Sequence, residues 1–114
     1  MNLNSFLLNL HLRNAWIQEP HMKIYVRRSK RSLDVHLIES CLDLASVEVS
    51  EKYRGKGLFT KFVERFEQAA EDLDRTVFVE SILEPRLVGF FEGRGYKQMD
   101  NSTPTCPCLF KERT

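Results

Sequence analysis

The sequence predicts a mixed α+β domain, and three observations carry that prediction. Ahead of residue 57, apolar and polar residues alternate in short runs. After it, apolar residues recur at helical spacing as far as Leu73. A short, nearly all-apolar run at 75–82 then follows the helix. A strand–helix–strand crossover over 42–82 places its two strands parallel. The remaining strands are joined by short turns and run antiparallel. The expected architecture is therefore a central mixed, mostly antiparallel sheet with helices packed on it.

The elements follow in order. Residues 1–21 form an N-terminal segment of uncertain structure, in which Phe6, Leu7, Leu10 and Leu12 suit a helix or a strand and Pro20 breaks the chain. "MKIYV" (22–26) reads as a strand, "RRSKRS" (27–32) as a polar turn with four cations, "LDVHLIES" (33–40) as a second strand, and "CLDLASVEV" (41–49) as a third. From Gly57, the residues Leu58, Phe59, Phe62, Val63, Phe66, Ala69, Ala70 and Leu73 make one broad apolar helical face. Lys61, Glu64, Arg65, Gln68 and Asp72 occupy the wet side. "RTVFVESI" (75–82) is the central strand. Pro85 suits the first turn of a second helix that buries Leu87, Val88, Phe90 and Phe91 and stops at Gly95. "YKQM" and "CLFKER" form a closing hairpin around "DNSTPT". The order is β-β-β-α-β-α-β-β.

The 114 residues suit one domain, 1–114, with one core. Apolar residues at 42% and charged residues at 29% exclude a disordered chain. A formal net charge of +1 exerts no global pull on nucleic acid or membrane, so neither is expected as a partner. No apolar run has the length of a membrane span. The start lacks the basic leader and small-residue cleavage site of a signal peptide and reads as folded chain. Three cysteines, an odd number, make no disulfide framework, and a reducing, cytoplasmic compartment is the simpler reading. Cys106 and Cys108 form a CxC without a second pair or paired histidines, so no metal site is expected.

The chemistry concentrates in "YRGKGLF". Helix-initiating N–H groups have no intrahelical partner and sit at the positive end of the macrodipole. A phosphate placed there accepts several hydrogen bonds at once, and glycine removes the side chains that would obstruct it. Arg54 and Lys56 add charge beside Gly55 and Gly57. A pyrophosphate cradle and a plain tight turn with solvated lysines are both open on these residues. GxxxxGK[ST] and GxGxxG are absent, which excludes a P-loop and a dinucleotide fingerprint.

"LASVEVSEKYRGKGLFTKFVERF" resembles the acyl-coenzyme A signature of the GNAT N-acetyltransferase superfamily, a strand ending in alternating valines followed by [Q/R]-x-x-G-x-[G/A] opening a long helix. "VFVESILEPRLVGFFEGRGYKQM" resembles the family's next strand, helix and "Y-E-x-x-G-[FY]" ending. The two segments span 42–99, the expected acyl-CoA-binding core. The resemblance implies a GNAT fold in which two parallel strands splay apart around the pantetheine arm. It implies that Val47 and Val49 bond the pantetheine through their backbones, and that Arg54, Gly55, Lys56, Gly57, Leu58 and Phe59 form the phosphate loop. Acetyl-CoA is the implied donor, and no metal is implied. The acceptor is an amine: a lysine or N-terminus of a protein, or a small amine.

The chain departs from the pattern in places. Phe59 stands where the loop ends in glycine or alanine, and is expected to point into the core. Phe91, assigned to the cofactor site, stands where many members carry a tyrosine that protonates the departing thiolate. Glu84 stands where an asparagine is common, and Tyr96 matches a structural aromatic. A general base must take the amine's proton. Glu48, between the two valines, is the candidate, with a solvated strand carboxylate as the alternative; Glu80 and Glu84 are outsiders, and His36 reads as a surface residue. The N-terminal half lacks the length for the two helices that shape the family's acceptor pocket. This implies an open acceptor site or one completed by a second chain, a homodimer included. The rival readings are a catalytically inactive GNAT-fold protein that binds CoA or a protein partner, and a small adaptor using "RRSKR".

Overall fold

In the computed structural model, the described residues are 1–32, 38–50, 57–80, 85–99, 102 and 107–111. Helix α1 (Leu3–Leu8) opens at Asn2, whose side-chain oxygen accepts from the Ser5 N–H at 2.8 Å. Leu3 and Phe6, three residues apart, bury its inner face. Strand β1 (Asn14–Glu19) follows. The segment 1–21, unplaced by pattern alone, is thus a helix and an edge strand. Pro20 and His21 turn β1 into β2 (Met22–Ser32), with His21 at a φ of 67°.

Strand β2 corrects the expected polar turn at 27–32, because the strand runs straight through it. The four cations alternate across the pleat, and three of them meet partners. Arg27 and Arg31 reach Asp43 on one face. Arg28 points to the other, where its guanidinium donates to the carbonyls of Phe6 and Leu7 at 2.9 and 3.2 Å, and to that of Leu12, and lies 4.3 Å over the Phe6 ring. Asn9 N–H already donates to the Phe6 carbonyl at the end of α1, and Arg28 adds donors for the carbonyls of Phe6 and Leu7. Burial, and then the nearby Arg75 charge, lower the pKa of Arg28.

Strand β3 (Ile38–Val49) is one long strand where two were expected. It takes in 38–40 of the expected second strand and all of the third. Leu33, Val35, His36 and Leu37 lie outside the described residues. The half of the chain before Gly57 still supplies three strands, because β1 replaces one of them.

The second half matches expectation closely. Helix α2 (Leu58–Asp72) buries Phe62, Val63, Phe66 and Ala70, and Leu73, at its C-cap, is 41% exposed. Strand β4 (Thr76–Glu80) is buried along its length up to Glu80. Helix α3 (Pro85–Gly93) begins at the proline and leads to Gly95 at a φ of 93°, where glycine carries no steric penalty. Strands β5 (Tyr96–Gln98) and β6 (Cys108–Lys111) pair antiparallel. The six-stranded sheet has the order β1-β2-β3-β4-β6-β5, with β3 and β4 parallel and β6 inserted beside β4.

The main core lies on one face of this sheet. Leu3 and Phe6 of α1, the buried face of α2 and Phe91 of α3 join Ile17, Ile24, Val26, Leu42, Leu44, Val79 and Leu109. A smaller cluster of Cys41, Phe78 and Phe110 lies on the opposite face, and no helix among the described residues contributes to it.

Candidate functional site

The parallel pairing of β3 with β4 runs from Cys41↔Thr76 to Leu44↔Val79 and ends there, although β3 continues to Val49. Along that continuation β3 still pairs with β2 on its other edge, from Ser46↔Tyr25 to Val49↔Met22. The edge of β3 that faces β4 is therefore free of strand pairing from Ala45 to Val49 among the described residues. Among the described residues, the ladder between the two strands ends at Leu44.

A bulge marks the parting. Tyr25 pairs with Ser46 and Val26 with Leu44, so Ala45 is an extra residue on β3 without a partner. An added residue of this kind bends the strand and raises its twist. It also shifts the alternation by one. Leu44 and Val47 both pack on the main core although they are an odd three positions apart, and Glu48 is exposed. Were Ala45 an ordinary paired residue, strict alternation would put Ser46 and Glu48 against the core and Val47 outside. The resemblance implies a parting of these strands but not the bulge, although the phase slip between Leu42/Leu44 and Val47/Val49 is present in the sequence as a signal.

Beyond the parted edge, α2 begins at Gly57. This residue is the N-cap, in the left-handed region at φ 77° and ψ 3°, and among the described residues no side chain caps the helix. A Cβ placed on Gly57 would meet no described atom within 4 Å. The first N–H groups of this 15-residue helix thus have no partner side chain among the described residues, which is the condition for accepting an anion there. Leu58 and Phe59 turn inward against the core. Phe59 packs at 5.5 Å from Phe90 and 6.0 Å from Phe91, so its bulk is directed away from the helix terminus. Arg54, Gly55 and Lys56 lie outside the described residues, as do Glu84 and Cys106.

Phe91 is fully buried. It stacks edge-on against Phe59 and Phe90 and packs 4.9 Å from Tyr96, so its ring belongs to the core. Tyr96 is core, as expected, and its hydroxyl donates to Glu67 at 2.8 Å. Glu67 also accepts from Arg94 and Lys111. Burial alone would raise the Glu67 pKa, but the hydrogen bonds from Arg94 and Tyr96 and the charges of Lys111 and Arg94 outweigh it and hold the carboxyl below its ordinary value. Burial, and the Glu67 charge and hydrogen bond, push Tyr96 well above the usual phenol value. This network ties α2 to β5 and β6. Glu48 pairs in register with Lys23 on the helix-free face and is exposed, so the burial invoked for a general base is not supplied by the described residues. Glu80 ends β4 and is bound by Arg27 and Arg31.

An apolar groove of about 570 Å³ lies between Leu58, Lys61 and Arg65 of α2 and Glu19, Pro20 and Met22 of the β1–β2 turn. Its lining includes Met22, the register partner of Val49, and Leu58, the first residue of α2, so the groove adjoins the helix terminus. Among the described residues no group of three or more His, Cys, Asp or Glu could hold a metal ion, and no helix is long and apolar enough to cross a membrane.

No family model matches the sequence, and no curated protein matches it. Solved structures do. A chain of the NatC complex bound to Gag peptide and CoA superposes over 82% of this chain with a TM-score of 0.63 and 18% identity. The chain has the GNAT fold. An acetyltransferase from Thermus thermophilus superposes over 95% of the chain at a TM-score of 0.61 and 20% identity, and 70% of its own length is matched. A mutant of the AtaT toxin, bound to the C-terminus of the antitoxin AtaR and acetyl-CoA, superposes over 78% at 0.58 and 13% identity. The chain spans 62% of the NatC chain and 57% of the toxin. The GNAT architecture thus accounts for the mixed six-stranded sheet and the three helices.

Proposed function

We propose that the chain is an acyl-CoA-dependent N-acyltransferase that moves an acetyl group from acetyl-CoA to an amine. One observation carries the reading: two parallel strands part at a bulge, and the parted edge leads to a helix whose N-terminal glycine no side chain caps. The free edge of β3, with Val47 and Val49, offers backbone groups to the pantetheine amides. The helix terminus at Gly57, Leu58 and Phe59, completed by Arg54, Gly55 and Lys56, takes the diphosphate. Phe91 backs Phe59 from within. The residues present fit the donor in that, among the described residues, no side chain caps the terminal amides and nothing lies within 4 Å of the Gly57 Cβ position.

In the proposed reaction the amine nitrogen attacks the thioester carbonyl carbon. The C–N bond forms, the C–S bond breaks, and the thiolate departs and takes up a proton as the amine loses one. Backbone N–H groups near Val49 polarise the carbonyl, and holding both reactants supplies much of the rest. Glu48 stands on the helix-free face, from which an acceptor would approach, and is the proposed proton acceptor. That open face suits an amine carried on a macromolecule, a protein lysine or N-terminus. The complexes with Gag peptide and with an antitoxin support a protein acceptor or partner for this chain as well. The alternative arrangement is that a second copy of the chain completes the acceptor site on that face.

A second reading, a non-catalytic CoA-binding protein, is favoured by the fully buried Phe91 where the family's tyrosine donor stands. Titration with acetyl-CoA under thermal unfolding, followed by thiol release with amines, peptides and proteins, separates the two. A thermal shift with thiol release supports the enzyme, a shift without release supports the binding protein, and no shift overturns both.

A further inference from the structure

We propose that Arg27 and Arg31 form a side-chain strap that sets the width of the gap between β3 and β4 and so position the strands for the acyl donor. The strap itself stands on geometry. Its link to donor binding rests on the acyltransferase reading.

Glu80 is the residue after the last β3–β4 rung, Leu44↔Val79. On its far side it is still paired, to Cys108 of β6. Toward β3 the backbone ladder has ended. Side chains take over on the helix-free face. Arg27, on β2, reaches past β3 and forms an ion pair with Glu80 through Nη2. Arg31 Nη2 lies 3.5 Å from the same Glu80 oxygen. The same two nitrogens approach Asp43 Oδ2 at 3.2 and 2.9 Å. Ser29 Oγ donates to the other Asp43 oxygen at 2.8 Å. Asp43 precedes Leu44 and Glu80 follows Val79. The two guanidiniums therefore bridge β3 to β4 one residue either side of the point where pairing stops.

Three features argue that the bridge is stiff. Asp43 has a side-chain exposure of 0%, so a carboxylate deprived of its cations would be buried and uncompensated. The cluster holds two cations and two carboxylates, so its charges balance. Arg31 is also pinned by stacking, its guanidinium lying 4.0 Å over the Phe78 ring. Arginine suits the task because its planar fork can serve two carboxylates at once. The strap also commits Glu80: its carboxylate is taken up by two cations and serves as an anchor.

The test compares Arg27→Met and Glu80→Gln with Glu67→Gln, which disturbs the network at the far end of α2. Amide hydrogen exchange is read over residues 44–49 and 77–80 in ligand-free protein, and acetyl-CoA affinity by calorimetry. Loss of the strap is expected to speed exchange in these segments about tenfold relative to the rest of the sheet, and to weaken acetyl-CoA about tenfold, whereas Glu67→Gln does neither selectively. Arg27→Lys, which keeps the charge and loses the fork, recovers part of both. Glu80→Gln leaves the Arg27–Asp43 pair intact, so it reports on the bridge even if Arg27→Met fails to fold. Unchanged relative exchange at 44–49 in Glu80→Gln and in folded Arg27→Met overturns the strap. Faster exchange with unchanged acetyl-CoA affinity overturns the positioning role. If the unmodified protein does not bind acetyl-CoA, the acyltransferase reading and the positioning role fall together, while the exchange data still decide the strap.

Discussion

Gly57→Asp is the most informative single substitution. Gly57 sits at φ 77°, and among the described residues nothing lies within 4 Å of where a Cβ would go. Aspartate tolerates the left-handed region better than most residues and favours the N-cap, where it can accept from the helix's third N–H. The cap is worth a few tenths of a kcal/mol relative to glycine, and the conformation costs on the order of 1 kcal/mol. The net change in stability is therefore within about 1 kcal/mol, or roughly 4 °C in Tm for a domain of this size. Ligand binding is affected far more. The carboxylate occupies the amides meant for the diphosphate and repels it. Losing one or two charge-assisted hydrogen bonds removes about 3 kcal/mol, or more than a hundredfold in affinity. At an acetyl-CoA concentration of 100 Kd the unmodified protein gains about 2.7 kcal/mol, a rise near 10 °C. A hundredfold weaker variant gains only about 0.4 kcal/mol, a rise below about 2 °C. Differential scanning fluorimetry with and without acetyl-CoA reads both numbers on one plate. Gly57→Asn supplies the cap without the charge and should fall between. A full ligand-induced rise in Gly57→Asp would show that the diphosphate does not lie on this helix, and the reasoning from the bare terminus would be wrong.

Three further outcomes are expected. Deleting Ala45 removes the extra residue and leaves Leu44, Ser46, Val47 and Glu48 opposite Val26, Tyr25, Ile24 and Lys23 in unbroken alternation, so Val47 stays inward; the cooperative thermal transition is expected to persist, while the lost bend should show as slower amide exchange over 46–49. Arg28→Met keeps the packing on Phe6 but withdraws the donors from the carbonyls of Phe6, Leu7 and Leu12; about 2–4 kcal/mol of stability should be lost in urea titration, with faster proteolysis of residues 1–13. Glu67→Gln tests the pH dependence. The Glu67 pKa is lowered in the folded state from 4.5, so its contribution is fully present above pH 4.5 and is lost as pH falls through the folded value. The variant should be about 1 kcal/mol less stable at pH 7, allowing for solvent screening, and its stability should fall less steeply below pH 4.5 than that of the unmodified protein.

Much of the fold was legible because the second half of the chain encodes it locally. Glycine, a 3.6-residue apolar period, an all-apolar strand, a proline start and a glycine stop each act within a few residues, so α2, β4, α3 and the closing hairpin could be read from spacing alone. The run at 27–32 was misread for the opposite reason. Four cations in six residues resemble a solvated turn until Asp43, Glu80 and the carbonyls of α1 are brought beside them. Those partners lie up to 53 residues away in sequence. Charges become strand residues only when the fold supplies countercharges.

The same division holds for the candidate site. The composition of the loop before α2, and the valines before it, were determined by the sequence: glycine at a helix entrance and alternating apolar residues mean the same thing wherever they occur. Where β3 leaves β4, the odd residue Ala45 that turns Val47 inward, and the arginine bridge across the parting were decided by tertiary structure. A strand's edge is free or paired only in relation to a neighbour, and a neighbour is a property of the folded sheet, not of any segment within it.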